Sequence, residues 1–244
     1  MILEDIIYRS KKEKLFSLLI DPEKYNGRSL ERTVKTAAEN GVDYIFVGGS
    51  LVSDKIDNSV ETIKNNCAIP VVLFPGSYLQ ISDKADGILF ISLISGRNPE
   101  YLIGNHVITA PLLKKSNLEI IPTGYILISG KRITSVEYMS NTTPIPPEKV
   151  DIIIATAQAG EMLGLKMVYL EAGSGAEEPL NEKLISQVRE NISLPLLVGG
   201  GLKKEQDIIN ALNGGADMVI VGNSAENDLT RLKNLCSRVK NFKI

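Results

Sequence analysis

The chain has 244 residues, 43% hydrophobic and 23% charged, so it can bury a sizeable core and does not have the composition of a disordered chain. Its formal net charge is −2, with 27 basic and 29 acidic residues interspersed, which argues against a nucleic-acid surface. No apolar run approaches the roughly eighteen residues needed to cross a bilayer, so membrane contact is at most peripheral.

Met1 to Ser10 lacks the basic start, long apolar core and small-residue cleavage site of a signal peptide. The apolar run Leu15 to Ile20 reads as a first strand, ending at Asp21-Pro22. Leu30, Val34, Ala37 and Ala38 have helical spacing, with Asn40-Gly41 as the stop. Asp43 to Gly48 is a second strand and Val52 to Asn65 a helix; Ile69 to Phe74 is a third strand. Only about ten residues, Ser77 to Asp86, precede a fourth strand at Gly87 to Ile91, too few for a crossover helix. A helix runs from Pro99 to about Ser116. Leu118 to Ser129 holds a fifth strand, expected to be interrupted at Pro122-Thr123-Gly124. Lys131 to Pro147 is a polar, proline-bearing excursion, and Glu148 to Gly164 is a helix. Lys166 to Glu171, Leu194 to Val198 and Asp217 to Val221 are strands six to eight. Helices open at Pro179 and Gln206, and the last one carries Leu229, Leu232, Leu235 and Val239.

An internal echo supports the count. Gly-Val-Asp-Tyr-Ile-Phe-Val-Gly at Gly41 to Gly48 recurs as Gly-Ala-Asp-Met-Val-Ile-Val-Gly at Gly215 to Gly222, and more faintly at Ala85 to Phe90. Eight buried strands alternating with helices fit a single TIM (β/α)8-barrel domain over residues 1–244, with a short or missing helix between strands three and four. In such a barrel, chemistry belongs at the C-terminal strand ends.

Tyr169-Leu-Glu-Ala-Gly-Ser-Gly175 is where the sixth strand gives way to glycine-rich backbone able to turn N–H groups toward an anion. Tyr169 and Glu171, two residues apart, share a strand face. Two more glycine stops follow at Gly199-Gly200-Gly201 and Gly222-Asn223. Three such loops in succession point to one phosphate pocket, with Ser174 adding a hydroxyl. Glu171 is the general-base candidate beside that pocket, with a salt bridge as its alternative, and Tyr169 either bonds the ligand or packs in the barrel. Asp21 either caps the Asp-Pro-Glu turn or, with a hydroxyl such as Ser50 and a diphosphate, holds Mg²⁺. Arg97 and Asn98 are placed to reach a second anion or to serve the fold, and His106, the single histidine, reads as a packing residue.

With Leu19-Ile-Asp-Pro-Glu-Lys24, Val47-Gly-Gly-Ser50, the run Gly96 to His106, Tyr169 to Gly175, Val198 to Gly201 and Val221 to Ser224, the chain resembles the geranylgeranylglyceryl phosphate synthase family, including its heptaprenylglyceryl phosphate synthase relatives. The Leu-Ile-Asp-Pro form and the extended Tyr-Leu-Glu-Ala-Gly-Ser-Gly are closer to the geranylgeranyl branch. The resemblance implies Mg²⁺-dependent transfer of a prenyl group, geranylgeranyl above all, from its diphosphate to the 3-hydroxyl of sn-glycerol 1-phosphate. It assigns Asp21 and Ser50 to the metal. To glycerol phosphate it assigns Tyr169, Glu171, Ala172, Gly173, Ser174, Gly175, Gly200, Gly201, Gly222 and Asn223, with Glu171 and Tyr169 as the catalytic pair. Ser50 stands where some relatives have threonine. The resemblance also implies a homo-oligomer, dimer or hexamer, while the two cysteines, Cys67 and Cys236, far apart and in no metal-type or Cys-x-x-Cys spacing, read as reduced thiols of a cytoplasmic protein. No Asp-Asp-x-x-Asp motif is present, which separates the chain from chain-elongating prenyl synthases. The prenyl tail is expected to enter at the thin wall of Ser77 to Asp86, along Tyr78 and Leu79. Two other readings stand: another phosphosugar-handling barrel isomerase or synthase, and a non-catalytic prenyl-phosphate binder.

Overall fold

The computed structural model describes residues 1–25, 27–52, 56–130, 132–222 and 228–243. Eight parallel strands close in sequence order into a barrel: β1 (Leu15–Ile20), β2 (Tyr44–Val47), β3 (Val71–Leu73), β4 (Gly87–Leu93), β5 (Glu119–Leu127), β6 (Met167–Glu171), β7 (Leu196–Gly199) and β8 (Met218–Val221). The predicted fold class is the observed one. Alternation along each strand divides the core in two. Leu15, Tyr44, Phe46, Val72, Leu89, Met167, Tyr169 and Leu197 fill the interior. Phe16, Leu18, Ile45, Val47, Val168, Leu170 and Val198 face the outer helices. Burial on both faces is why these strands read as continuous apolar runs.

Around the barrel run α2 (Gly27–Glu39), α3 (Ile56–Asn66), α4 (Asn105–Leu113), α6 (Val150–Met162), α7 (Glu182–Arg189), α8 (Glu205–Asn213) and α9 (Leu229–Lys240). A π-helical turn, Glu100–Gly104, leads into α4. Among the described residues no helix lies between β3 and β4, as the chain length there requires.

Four features depart from the sequence reading. The first ten residues contain a helix, α1 (Ile2–Arg9), which sends Ile6 into the barrel interior. The Glu119 carboxylate accepts the free N–H groups of Ile2 and Leu3 at its start. The excursion after β5 holds another helix, α5 (Ser135–Ser140), started by Thr134, whose hydroxyl accepts from Glu137 N at 3.2 Å. α7 opens at Glu182 rather than at Pro179, because the Asn181 side chain caps it by accepting from Leu184 N at 2.9 Å.

The fourth departure is that β5 is not interrupted at Pro122. The reason links it to the internal echo. Asp43, Asp86 and Asp217 each stand just before an even-numbered strand and form the same two-bond clasp with the strand before it. Asp43 N donates to Phe16 O at 2.9 Å while its carboxylate accepts from Phe16 N at 2.8 Å. Asp86 does so with Val71 and Asp217 with Leu196. Each carboxylate also takes a cation from a neighbouring helix: Lys240, Lys64 and Arg189 respectively. At the equivalent place between β5 and β6, Lys166 N donates to Pro122 O at 2.8 Å. Proline has no N–H to satisfy, so no aspartate is needed and the strand continues.

Candidate functional site

At the C-terminal ends of the strands lies a cavity of about 760 Å³. Of the residues singled out from sequence, Asp21, Ser50, Tyr169, Glu171, Ser174, Gly175, Gly200, Gly201 and Gly222 line it. The barrel therefore brings the end of its first strand and the ends of its last three to one rim. Ala172 and Gly173 are buried in the turn behind the lining. Asn223 lies outside the described residues.

Glu171 ends β6 on the inward face, one pleat above Tyr169. The Tyr169 hydroxyl donates to Glu171 Oε2 at 2.5 Å, and Gly173 N donates to Oε1 at 2.7 Å. The carboxyl is only 6% exposed. Burial, partly offset by those two hydrogen bonds, pushes its pKa from 4.5 up to about 7. Burial and the neighbouring carboxylate push the Tyr169 phenol well above its usual value, so it stays a donor. The close approach of this pair requires glycine after β7. A Cβ on Gly200, whose φ is +80°, would lie 2.3 Å from Glu171 Oε1, and one on Gly199 would lie 2.1 Å from the Tyr169 hydroxyl.

Across the cavity, Asp21 follows β1. Its carboxylate accepts from Glu23 N at 3.2 Å, capping a short 3-10 turn, and stands 3.6 Å from Lys24 Nζ. Its Oδ1 is 3.0 Å from where a Cβ on Gly49 would be, which sets it beside the loop that carries Ser50. A carboxylate beside a loop that carries a serine, both lining one cavity, suits a magnesium ion that draws its remaining ligands from water and phosphate. Among the described residues no group of three or more His, Cys, Asp or Glu forms a protein-only metal cage.

The structure also brings in residues that the sequence did not single out. Phe74, just past β3, and Tyr125 of β5 both line the cavity. The Tyr125 ring meets Tyr169 edge-on, with centroids 5.2 Å apart, at the position where the two residues are paired in register. The period-2 pattern of β5 carried that signal, since Ile121, Tyr125 and Leu127 all point inward. Lys24, Lys203 and Arg231 add positive charge to the lining. α5 covers the cavity from one side with Val136, Tyr138 and Met139.

Other candidates fall elsewhere. The Arg97 guanidinium folds back on the carbonyl of Gly96 at 2.7 Å, and Asn98 Nδ2 donates to Ser140 O at 2.6 Å, holding the end of α5; neither lines the cavity. His106 is buried against Phe90, and desolvation lowers its pKa. Between the β3–β4 segment and α4 runs an apolar crevice lined by Tyr78, Ile81, Ile91, Tyr101, Thr109 and Leu113. Tyr78 is there as expected. Leu79 is not; it is 77% exposed, because the adjacent Gln80 is turned inward. Gln80 Nε2 donates to Gly49 O at 2.7 Å and its Oε1 accepts from Gly49 and Gly76 N–H groups.

A closed parallel barrel with glycine turns after its last three strands and a buried Tyr–Glu pair facing them defines a phosphate-handling TIM-barrel enzyme. Residues 8–239 match the PcrB family, and the chain belongs to it. It is 48% identical over 232 residues to a geranylgeranylglyceryl phosphate synthase of Chitinophaga pinensis, covering 95% of this chain and 92% of that one. It is 39% identical to the geranylgeranylglyceryl phosphate synthase of Pyrococcus horikoshii over 218 residues, covering 88% and 85%. The crystal structure of (S)-3-O-geranylgeranylglyceryl phosphate synthase from Thermoplasma acidophilum, in complex with substrate sn-glycerol-1-phosphate, superposes with a TM-score of 0.95 at 30% identity, covering 99% of both chains.

Proposed function

We infer that this protein joins a prenyl group, carried in as its diphosphate, to the 3-hydroxyl of sn-glycerol 1-phosphate through an ether bond, and that the prenyl group is geranylgeranyl. The observation that carries this is that the Asp21 carboxylate and the Tyr169–Glu171 pair face a single cavity floored by glycine turns. The relatives named above, and the glycerol phosphate held by a structure so similar in fold, support the same reading.

In this reading the backbone from Gly173 to Gly175, with Gly200, Gly201 and Gly222, takes the phosphate of the acceptor. Tyr169 orients the Glu171 carboxylate, which accepts the proton of the attacking hydroxyl. A carboxyl whose pKa lies at about 7 is suited to exchanging a proton near neutral pH. Asp21 and Ser50 would hold Mg²⁺, which when bound neutralises charge on a diphosphate leaving group. Lys24, beside Asp21, adds a second positive charge on that side. The tail of the donor follows the apolar crevice past Tyr101 toward Leu113.

The exposed apolar residues Ile103, Val107, Ile108 and Leu112 around α4, with Ile152, Met162 and Leu163 of the α6 region, support a homo-oligomer. Two free cysteines fit a cytoplasmic setting, and no helix among the described residues is long and apolar enough to cross a membrane.

The experiment is incubation with Mg²⁺, sn-glycerol 1-phosphate and prenyl diphosphates of graded length, followed by mass analysis of the lipid. The expected product is the geranylgeranyl ether. Glu171→Gln should lower turnover by roughly a hundredfold or more while glycerol phosphate affinity changes only a few-fold. Turnover surviving that substitution would remove Glu171 as the base.

A further inference from the structure

Between the acceptor cavity and the apolar crevice lies a small pocket that borders on both: Gly49, Ser50, Phe74, Tyr125, Val136 and Met139 are shared with the cavity, and Pro75, Gly76, Ile91 and Tyr101 with the crevice. Gly49 and Ser50 belong to the Asp21 side, where the diphosphate is placed. Val136 and Met139 hang from α5. Tyr125 of β5 and Phe74, the residue that directly follows β3, are the two aromatics among the six shared with the cavity. On the reading proposed above, a donor with its diphosphate at Asp21 and its tail in the crevice must pass its first carbon between those two ends. That carbon lies where Phe74 and Tyr125 stand.

We propose that the rings of Phe74 and Tyr125 are catalytic: their π faces stabilise the positive charge that develops on the allylic carbon as the diphosphate departs. The bond from that carbon to the bridging oxygen breaks heterolytically, and its electron pair leaves with the diphosphate. The acceptor hydroxyl oxygen supplies the pair for the new C–O bond, and its proton passes to the Glu171 carboxylate. An aromatic face carries partial negative charge and attracts a cation in a water-poor site much more strongly than an aliphatic side chain does. A neutral prenyl chain is held about equally well by either. The two rings therefore act on the transition state rather than on the bound donor.

Both rings are fixed before substrate arrives. Phe74 and Tyr125 have centroids 6.2 Å apart, and each meets the ring of Tyr169, at 5.7 Å and 5.2 Å. Phe74 lies 8° from parallel to Phe46 behind it. Its backbone is held by a 2.8 Å hydrogen bond from Phe74 N to Val47 O, and a Cβ on Gly48 would lie 1.9 Å from its carbonyl oxygen, so the β2 end is pressed against it. Tyr125 is 4% exposed and sits in the middle of the β5 ladder. Rings held this way need no reorganisation as charge develops.

The test replaces Phe74 in the full-length protein with mono-, di- and trifluorinated phenylalanine, which withdraw charge from the ring face with little change in its shape. Turnover with geranylgeranyl diphosphate is measured beside the affinity for its unreactive thiolo-diphosphate analogue. Log kcat should fall linearly with fluorine number, by more than tenfold across the series, while analogue affinity stays constant. Phe74→Leu and Tyr125→Leu should each lower kcat by roughly tenfold to thirtyfold, and Tyr125→Phe, which keeps the ring, should exceed Tyr125→Leu by about tenfold. A flat fluorine series in an enzyme that makes the ether overturns the aromatic assignment alone. Tyr125→Phe as slow as Tyr125→Leu removes the Tyr125 ring from it. A native chain that makes no prenyl ether from these substrates overturns the proposed function as well.

Discussion

Glu171 is buried against Tyr169, and burial raises its pKa from 4.5 to about 7. The sign for activity follows from its role as a base: only the carboxylate accepts a proton, so kcat/KM should climb as pH rises through about 7 and level off above it. The sign for stability is opposite. A carboxyl whose folded pKa is raised favours its neutral form in the fold, so its contribution is full below about 4.5 and is lost as pH rises through about 7. The loss is on the order of 3 kcal/mol. Glu171→Gln, which is never charged, should therefore melt roughly 5–10 °C above the native chain near pH 8.5 and close to it near pH 4.5. Thermal scans at the two pH values check this, and equal shifts at both would contradict the buried-carboxylate account. Gly200 answers to geometry instead of charge. With φ at +80° and no room for a Cβ beside Oε1, Gly200→Ala should cost about 1–3 kcal/mol in stability. It should also abolish turnover by displacing the carboxylate.

The missing crossover helix between β3 and β4 leaves α4 facing a crevice instead of a neighbour, and its depth should set which prenyl chains are accepted. Thr109 borders the crevice next to its Leu113 end. Thr109→Trp should shift preference toward shorter prenyl diphosphates, while Leu79→Trp, on an exposed side chain, should leave chain length unchanged. Competition among donors of graded length reads both. This gap was legible from sequence because ten residues cannot form a crossover helix, and the strands were legible because burial on both faces writes unbroken apolar runs. α1 and α5 were not. Each is short, and what holds them is distant in sequence: Glu119 for α1, Asn98 and the Tyr101 hydroxyl, which donates to Met139 O, for α5. The site divides in the same way. Tyr169 and Glu171 sit two residues apart on one strand and could be paired by spacing. Phe74 and Tyr125 join them only when the barrel closes. Leu79 was misplaced because two of the hydrogen bonds that turn Gln80 inward come from another loop, at Gly49, and only the one from Gly76 is local.

At the scale of the molecule, the exposed apolar side chains of α4 and α6 follow neighbouring strands, β4 and β5. If they form the contact between copies, Val107→Lys with Ile108→Lys should give a monomer by light scattering under conditions where the native chain is larger. A native monomer would remove the oligomer from the reading. The aspartate clasps divide the opposite end of the barrel into strand pairs, and Asp43→Asn or Asp217→Asn should each cost about 1–3 kcal/mol by leaving a backbone donor and a helix cation poorly matched. The pair formed by β5 and β6 has one bond where the others have two, since Pro122 has no amide to offer. Under native-state hydrogen exchange, amides at the start of β6 should be released earlier than those at the starts of β2, β4 and β8. The quarter that carries Tyr125, Tyr169 and Glu171 would then breathe on its own, leaving the other three quarters shut.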